Sequence, residues 1–149
     1  MKILVTVGTT QFDGLIDRVS KTIDNRMNVI YQVSNYSKYI NEGDNYFSFS
    51  DEFGLLVDSA DLIITHAGAG SVYDYLEKKK KLIVVPNLDR ADKHQIELSN
   101  YVRKNNFALV GCSHTSNFSQ LVEECLVTEF NSYNKIDFFY TDNLYRMLS

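Results

Sequence analysis

The feature that most constrains this chain is a regular alternation of short apolar runs with helix-length segments. Several of the runs are continuous, as expected for strands that are covered on both faces. Between them, apolar residues recur at a spacing close to the helical repeat. This alternation predicts right-handed βαβ units, and therefore an α/β fold with a mainly parallel sheet. The predicted strands are Ile3–Val7, Asn28–Val33, Tyr46–Phe49, Leu62–Thr65, Leu82–Val85 and Phe107–Val110.

Four apolar stripes between or after these strands predict helices. Helices that connect parallel strands cover both faces of the sheet, so the stripes should form the core of a Rossmann-like domain. The stripes are Phe12, Leu15, Ile16 and Val19, then Val72, Tyr75 and Leu76, then Ile96, Leu98, Tyr101 and Val102, and finally Leu121, Val122, Cys125 and Leu126.

The βαβ pattern ends near the last stripe. A chain of 149 residues suits one domain, and we predict that it spans residues 1–126. Residues 127–149 are predicted to form a tail that includes a short helix in "TDNLYRMLS", capped by Thr141 or Asp142. The tail is rich in aromatic residues, so we expect it either to dock a partner or to fold back on its own sheet. These residues are Phe130, Tyr133, Phe138, Phe139 and Tyr140.

The composition excludes several classes of function. The net charge of −4 gives no basic face for nucleic acid. No apolar run approaches the ~18 residues of a membrane span, and no signal-peptide pattern precedes the first strand. Cys112 and Cys125 lack CxxC or metal-ligand spacing, so free thiols in a reducing compartment are expected. These features predict a cytoplasmic protein without a metal site.

Two turns of small residues, in "VTVGTTQFDGLI" and "THAGAGSVYDYL", follow predicted strands and precede helical patterns. Ligands of parallel sheets bind at the carboxyl ends of the strands, where both turns should lie. Backbone N–H groups and the positive end of a helix dipole favour a phosphate there. The candidate residues are Gly8, Thr9, Thr10, His66, Gly68, Gly70 and Ser71.

Other interpretations of these turns were considered. A dinucleotide site would carry G-x-G-x-x-G after the first strand. The first turn does not match that fingerprint, and Gly68-Ala69-Gly70 is only a fragment of it at a later strand. A structural alternative is that Ser71 caps the following helix and forms a capping-box-like pair with Asp74.

Three stretches together resemble the glycosyltransferase family 28 C-terminal domain. They are "VTVGTTQFDGLI", "ADLIITHAGAGSVYDYLEKKKKLIVVPN" and "KHQIELSNYV", and the resemblance covers roughly residues 1 to 111. Within this family the chain is similar to small subunits of two-component UDP-sugar transferases, both eukaryotic enzymes of dolichol-linked glycan assembly and bacterial enzymes of capsule and exopolysaccharide synthesis. The resemblance implies the C-terminal, donor-binding half of a GT-B fold.

The resemblance also implies roles for particular residues. The turn that starts at His66 would hold the diphosphate of a UDP-sugar, which is a substrate and not a cofactor. Asp74 stands where related transferases often carry a glutamate that accepts the ribose hydroxyls. Gln95 would contact the donor sugar, and residues 49–53 lie where the family contacts uracil. The implied donor-binding residues are Gly8, Thr9, Thr10, His66, Ala67, Gly68, Ala69, Gly70, Ser71, Asp74, His94 and Gln95.

The activity implied is transfer of a sugar from a UDP-sugar to a lipid-linked, polyprenyl diphosphate acceptor. The acceptor would be bound by a separate membrane-anchored subunit, which would hold this chain at the inner face of the membrane. The catalytic base is left unassigned, and the sugar stays open among N-acetylglucosamine, galactose, glucose and glucuronic acid. The alternative is a non-catalytic accessory subunit that stabilises or enhances a membrane-bound partner transferase.

A run of lysines, 78–81, follows the second helical stripe. Cations at a helix C-terminus interact favourably with its dipole, so we predict a solvated helix end. The alternative is contact with anionic lipid headgroups.

Overall fold

The computed structural model describes residues 1–90 and 93–134. They form a six-stranded sheet in the order β3-β2-β1-β4-β5-β6. Every neighbouring pair is parallel, which confirms the Rossmann-like α/β prediction. The strands are β1 (Lys2–Thr6), β2 (Asn28–Gln32), β3 (Tyr46–Phe47), β4 (Leu62–His66), β5 (Leu82–Val85) and β6 (Leu109–Val110).

Helices cover both faces of the sheet, as predicted. Side chains such as Val5 and Ile64 join α1 and α5 in one core cluster. Their neighbours Leu4 and Ile63 point to the other face and join α2, α3 and α4. This alternation follows from the two-residue period of a strand. The helices are α1 (Asp13–Thr22), α2 (Phe53–Ser59), α3 (Ala69–Glu77), α4 (His94–Lys104) and α5 (Phe118–Val127).

Some local predictions were wrong. Helix α2 was not predicted, because it has only 7 residues and buries one of them, Val57. The edge strands β3 and β6 are shorter than predicted, and Phe49 lies beyond β3 with 79% of its surface exposed. In α4, Ile96 faces outward, and the polar side chains of Gln95 and Ser99 are buried instead.

Strands β1 and β4 lie side by side at the centre of the sheet, and Thr6 pairs with Thr65. The strand order reverses at this point, because β2 and β3 extend the sheet to one side and β5 and β6 to the other. Ligands of doubly wound sheets bind at such a switch point. The two small-residue turns follow these two strands, so they meet at the carboxyl edge.

The lysine run forms the predicted solvated helix end only in its first half, where Lys78 and Lys79 are exposed. Lys79 has a left-handed backbone conformation with φ of 58° just after α3. Lys80 then turns back, and its Nζ donates to the carbonyl oxygens of Asp58 at 2.6 Å and Ala60 at 3.0 Å. It therefore binds carbonyl groups at the end of α2.

Lys81 does the same at the end of α5. Its Nζ donates to the carbonyl oxygens of Cys125 at 3.1 Å, Leu126 at 2.7 Å and Thr128 at 3.2 Å. The last carbonyl groups of a helix lack intrahelical partners and carry the negative end of its dipole. Lys81 thus joins β5 to the C-terminus of α5.

We expect Lys81→Met to lower the free energy of unfolding by about 1–3 kcal/mol, because helix carbonyl groups lose charge-assisted hydrogen bonds. Urea denaturation measures this loss. Lys79→Met is the matched control, since Lys79 is exposed in the same run. Equal unfolding free energies for the two variants would contradict this role of Lys81.

The described part of the tail packs on the chain itself. Phe130 packs against the core cluster of α1 and α5. The ring of Tyr133 stacks on Tyr73 with centroids 5.5 Å apart and meets Phe107 edge-on at 5.6 Å. A role of the tail in docking a partner stays a prediction, as does the boundary at residue 126. Three of the predicted tail aromatics and the predicted terminal helix lie outside the described residues, namely Phe138, Phe139, Tyr140 and the segment that starts at Thr141 or Asp142.

Within residues 1–90 and 93–134, no helix has the length and apolar character that crossing a bilayer requires. Both cysteines are free thiols. Cys125 lies on α5 and is fully buried in the core between α5 and the sheet. Burial raises the pKa of the Cys125 thiol to about 12. This thiol is therefore a packing group.

Candidate functional site

The first turn follows β1 and is held by a side chain from β2. Gly8 has a left-handed φ of 65°, which favours glycine. Its N–H donates to Oε1 of Gln32 at 2.9 Å, and its carbonyl accepts from Nε2 of Gln32 at 2.9 Å. This turn does not lead directly into a helix, because α1 begins at Asp13. Its backbone is thus fixed by Gln32 and not by a helix terminus.

The second turn opens α3 directly. Gly68 is the N-cap residue, with φ of −84° and ψ of 124°, and no side chain caps the helix. The alternative that Ser71 is the N-cap was therefore wrong, and so was the capping-box pair with Asp74. The first intrahelical bond runs from Val72 N to Gly68 O at 2.9 Å. The preceding amides, up to that of Ser71, point out of the helix end, where an anion is favoured.

His66 lies between the two turns. A Cβ atom added to Gly68 would lie 2.4 Å from His66 Nε2, and one added to Gly8 would lie 3.1 Å from His66 Cε1. The imidazole therefore occupies the space that the two glycines leave. Burial lowers the pKa of His66, while the Thr6 backbone opposes that shift, so the ring is neutral at neutral pH. Its Nδ1 is buried without a hydrogen-bond partner in the described part of the chain.

A cavity of about 380 Å³ opens at this edge of the sheet. Both turns contribute to its wall, together with the loops that follow β2 and β3. The predicted uracil region, residues 49–53, lies on the same wall. The cavity is lined by Thr6, Gly8, Thr9, Gln32, Val33, Ser34, Asn35, Tyr36, Phe47, Ser48, Phe49, Ser50, Phe53, Ser71 and Tyr75.

Several of these lining residues were not predicted. Tyr75 was assigned to the core, yet its hydroxyl lies against the hydroxyl groups of Thr6 and Ser71. Burial raises the pKa of Tyr75, and the hydrogen bonds with Thr6 and Ser71 oppose this rise. Gln32 was overlooked as well. Both Thr6 and Gln32 are polar residues inside apolar strand runs, and that pattern is the signal that could have revealed them.

A second, more polar groove of about 470 Å³ lies on the other side of the first turn. Thr9 and Thr10 form one wall, and the loop after β5 forms the other with Asn87, Asp89 and Arg90. The two depressions share Thr9, so a ligand that occupies both would pass over the first turn.

Eight of the predicted site residues line neither depression, namely residues 66–70 of the second turn together with Asp74, His94 and Gln95. Asp74 is exposed on α3 and pairs with Lys78, with 3.3 Å between Oδ2 and Nζ. His94 lies at the exposed start of α4. Gln95 is buried, and its Oε1 accepts from the Asn87 backbone N–H at 2.9 Å. Their contacts with a donor stay predictions.

No group of three or more His, Cys, Asp or Glu side chains within residues 1–90 and 93–134 is arranged to hold a metal ion. The cavity lining consists of hydroxyl, amide and aromatic groups together with backbone. Such a site binds through hydrogen bonds, stacking and the α3 dipole.

A parallel sheet of this order, with two small-residue turns at its switch point, defines a Rossmann-like α/β domain. Residues 2–136 match the glycosyltransferase family 28 C-terminal domain, so the chain belongs to this family. The resemblance noted in the sequence is thereby confirmed.

Proteins named UDP-N-acetylglucosamine transferase subunit ALG13 are similar to this chain. The human protein is 33% identical over 115 residues, which cover 68% of this chain and 10% of that protein. The Yarrowia lipolytica protein is 33% identical over 126 residues, covering 74% and 64%. The Candida albicans protein is 40% identical over 63 residues, covering 42% and 22%. The chain thus spans less than two thirds of the length of each of these relatives.

Solved structures share the fold. An NMR structure of ALG13 has a TM-score of 0.57 at 21% identity, covering 89% of this chain and 87% of that one. Acinetobacter baumannii MurG has a TM-score of 0.66 at 17% identity and covers 89% of this chain and 49% of that one. A glycosyltransferase of kitacinnamycin has a TM-score of 0.64 at 17% identity, covering 85% and 35%. These likenesses place the fold among glycosyltransferases of the GT-B type.

Proposed function

We propose that this chain is the donor-binding catalytic subunit of a two-component glycosyltransferase that uses a UDP-sugar. The observation that carries the proposal is that the two small-residue turns meet on one cavity, which Gly8, Thr9 and Ser71 line together. Membership of glycosyltransferase family 28 supports it.

The cavity suggests how the donor lies. The diphosphate faces the start of α3, where amides up to Ser71 and the helix dipole favour negative charge. The nucleoside extends between the loops that carry Tyr36 and Phe49, since aromatic rings there offer faces for a base. The sugar then lies over Thr9 toward the polar groove. Asp74 would need a different rotamer to reach the ribose, since it now pairs with Lys78.

We further propose UDP-N-acetylglucosamine as the donor, because the similar proteins are named as subunits of a UDP-N-acetylglucosamine transferase. The acceptor is a lipid-linked diphosphate held by a membrane-anchored partner subunit. That partner would keep this chain at the cytoplasmic face of the membrane. Calorimetric titration of the chain with UDP and a panel of UDP-sugars tests which donor it binds. Absence of UDP binding would refute the donor-site proposal.

The chemistry needs a base for the acceptor hydroxyl while UDP leaves. The described residues that line the cavity include no carboxylate or histidine, but Asp13 and Asp89 line the polar groove. Asp13 already accepts from the Ser37 hydroxyl and the Lys38 backbone N–H, and Asp89 pairs with His114. We therefore assign the base to the partner and the stabilisation of the leaving diphosphate to this chain.

The lack of a carboxylate or histidine among the described cavity-lining residues also favours a second candidate. This is an accessory subunit that binds the partner transferase but does not take part in sugar transfer. Turnover by the chain mixed with its partner decides between the two candidates. A variant of this chain that has lost a donor contact lowers turnover only if the donor site of this chain is used.

Ser71→Ala should weaken UDP binding by about 1–2 kcal/mol, the scale of a hydrogen bond to a charged group. Ser71 lines the cavity in the first turn of α3, where its hydroxyl and amide face the proposed diphosphate. Calorimetry with UDP measures the change. Ser59→Ala, at the exposed end of α2, is the control that should leave the affinity unchanged. An unchanged affinity in Ser71→Ala would exclude its side chain from the site.

Asp74→Asn should weaken binding of UDP and leave binding of pyrophosphate nearly unchanged, since the proposed partner of Asp74 is the ribose. Its melting temperature without ligand should change little, because Asp74 makes only an exposed pair with Lys78, worth about 0.3–0.5 kcal/mol. Competition titrations with the two ligands give the comparison. Equal losses for both ligands would contradict the ribose contact.

A further inference from the structure

Gln32 lines the cavity between the loop that follows β1 and the loop that follows β3. It is the last residue of β2, and only 7% of its surface is exposed. The loop after β1 lies on one side of it, and the loop after β3 lies on the other. Its own chain continues directly into Val33 and Ser34, which line the cavity. All three cavity walls formed by β1, β2 and β3 therefore meet at this side chain.

The amide oxygen of Gln32 accepts three hydrogen bonds from the end of β1 and the first turn. Oε1 accepts from the Thr6 hydroxyl at 2.6 Å, from Val7 N at 3.1 Å and from Gly8 N at 2.9 Å. Val7 N also donates to the backbone carbonyl of Gln32 at 3.3 Å, whereas Gly8 lies one residue further from the strand, where ladder partners end. Gln32 Oε1 gives the Gly8 N–H an acceptor and thereby holds the first turn against the end of β2.

The amide nitrogen joins that turn to the other two walls. Nε2 donates to the carbonyl oxygens of Gly8 at 2.9 Å, Val33 at 3.0 Å and Ser48 at 3.3 Å. Gly8 lies 24 residues before Gln32, and Ser48 lies 16 residues after it. One planar carboxamide thus sets the distance between walls that no other described side chain links in this way.

We propose that Gln32 is a positioning residue for the donor site, which holds the turn that faces the diphosphate in register with the loops that face the nucleoside. Gln32 acts through Gly8 and Ser48 and not by chemistry of its own. A ligand that spans the cavity needs both ends placed together, so a loose Gly8 turn weakens its binding even when the sheet is intact. The choice of UDP as the probe rests on the proposed function.

The test compares Gln32→Met with Lys81→Met. Both changes remove several hydrogen bonds from a side chain of similar length, but Lys81 lies at the opposite end of the sheet, away from the cavity. Calorimetry with UDP is done at a temperature where melting curves show both variants to be folded. We expect Gln32→Met to weaken UDP binding at least about tenfold, while Lys81→Met binds like the parent. Equal affinities for the two variants would overturn the proposal.

A second readout needs no ligand. We expect Gln32→Met to speed hydrogen exchange at the Gly8 amide at least about tenfold relative to the Ile64 amide, a ratio that Lys81→Met leaves unchanged. If the parent fails to bind UDP, the proposed function fails, and this ratio alone then decides the role of Gln32. An unchanged ratio would overturn it. Should Gln32→Met not fold, Gln32→Glu keeps the shape and the acceptor of the Gly8 amide but loses the donors to Gly8 and Ser48. Weaker UDP binding is then expected, and binding like that of the parent would overturn the proposal.

Discussion

Gly68→Val is expected to abolish practical UDP binding, with an affinity loss on the order of a hundredfold or more, equal to about 2.7 kcal/mol. A Cβ at this position would meet His66 Nε2 at 2.4 Å. The imidazole has little room to move, because the same Cε1–Nε2 edge also lies against Gly8. The valine would therefore push apart the two turns that form the proposed donor site.

The measurement is calorimetry with UDP, accompanied by a thermal melt. Overpacking of this kind costs about 1–3 kcal/mol of stability, so affinity is compared only where the variant is folded. Gly54→Val is the matched control, because a Cβ on Gly54 in α2 meets nothing within 4 Å. If Gly68→Val bound UDP like Gly54→Val, the cavity between the turns would not be the donor site.

The central architecture could be predicted from the sequence because its signals are local. Strands β1, β2, β4 and β5 are apolar runs that are buried on both faces, and such runs have few alternatives. Helix α2 carried no comparable signal, since Val57 is its one buried residue. The outward position of Ile96 also depends on tertiary packing, because α4 turns Gln95 inward to hold Asn87.

The two turns of the site could be predicted, because their small residues form a local sequence pattern. Contacts between residues that are distant in the sequence could not be predicted. Gly8 and Gly68 were identified as turn residues, and the structure gives both a steric reason in His66. Gln32 reaches its partners only because β1, β2 and β3 are neighbours in the sheet. The alternative that Ser71 caps α3 was wrong, because Gly68 is the N-cap residue and no side chain caps the helix.

The other large effect concerns the chain by itself. We expect its turnover of a UDP-sugar and a lipid-linked acceptor to be at least about a thousandfold below that of the chain mixed with its membrane partner, because orientation of two substrates contributes effects of this size or larger. The described residues form one sheet, and the proposed donor cavity lies at its open carboxyl edge. Residues 1–90 and 93–134 form no second sheet that could face that edge to hold an acceptor or to exclude water.

The assay compares the chain, the partner and the mixture with labelled UDP-N-acetylglucosamine and a lipid diphosphate acceptor. In a second mixture, the Gly68→Val variant replaces the parent chain, and a pull-down confirms that the variant still binds the partner. This mixture shows whether turnover needs the donor site of this chain or only the assembled complex. Loss of turnover in that mixture supports a catalytic subunit, and full turnover supports an accessory one. Turnover by the chain alone at the rate of the mixture would contradict the two-component proposal, since a single open sheet edge would then suffice for transfer.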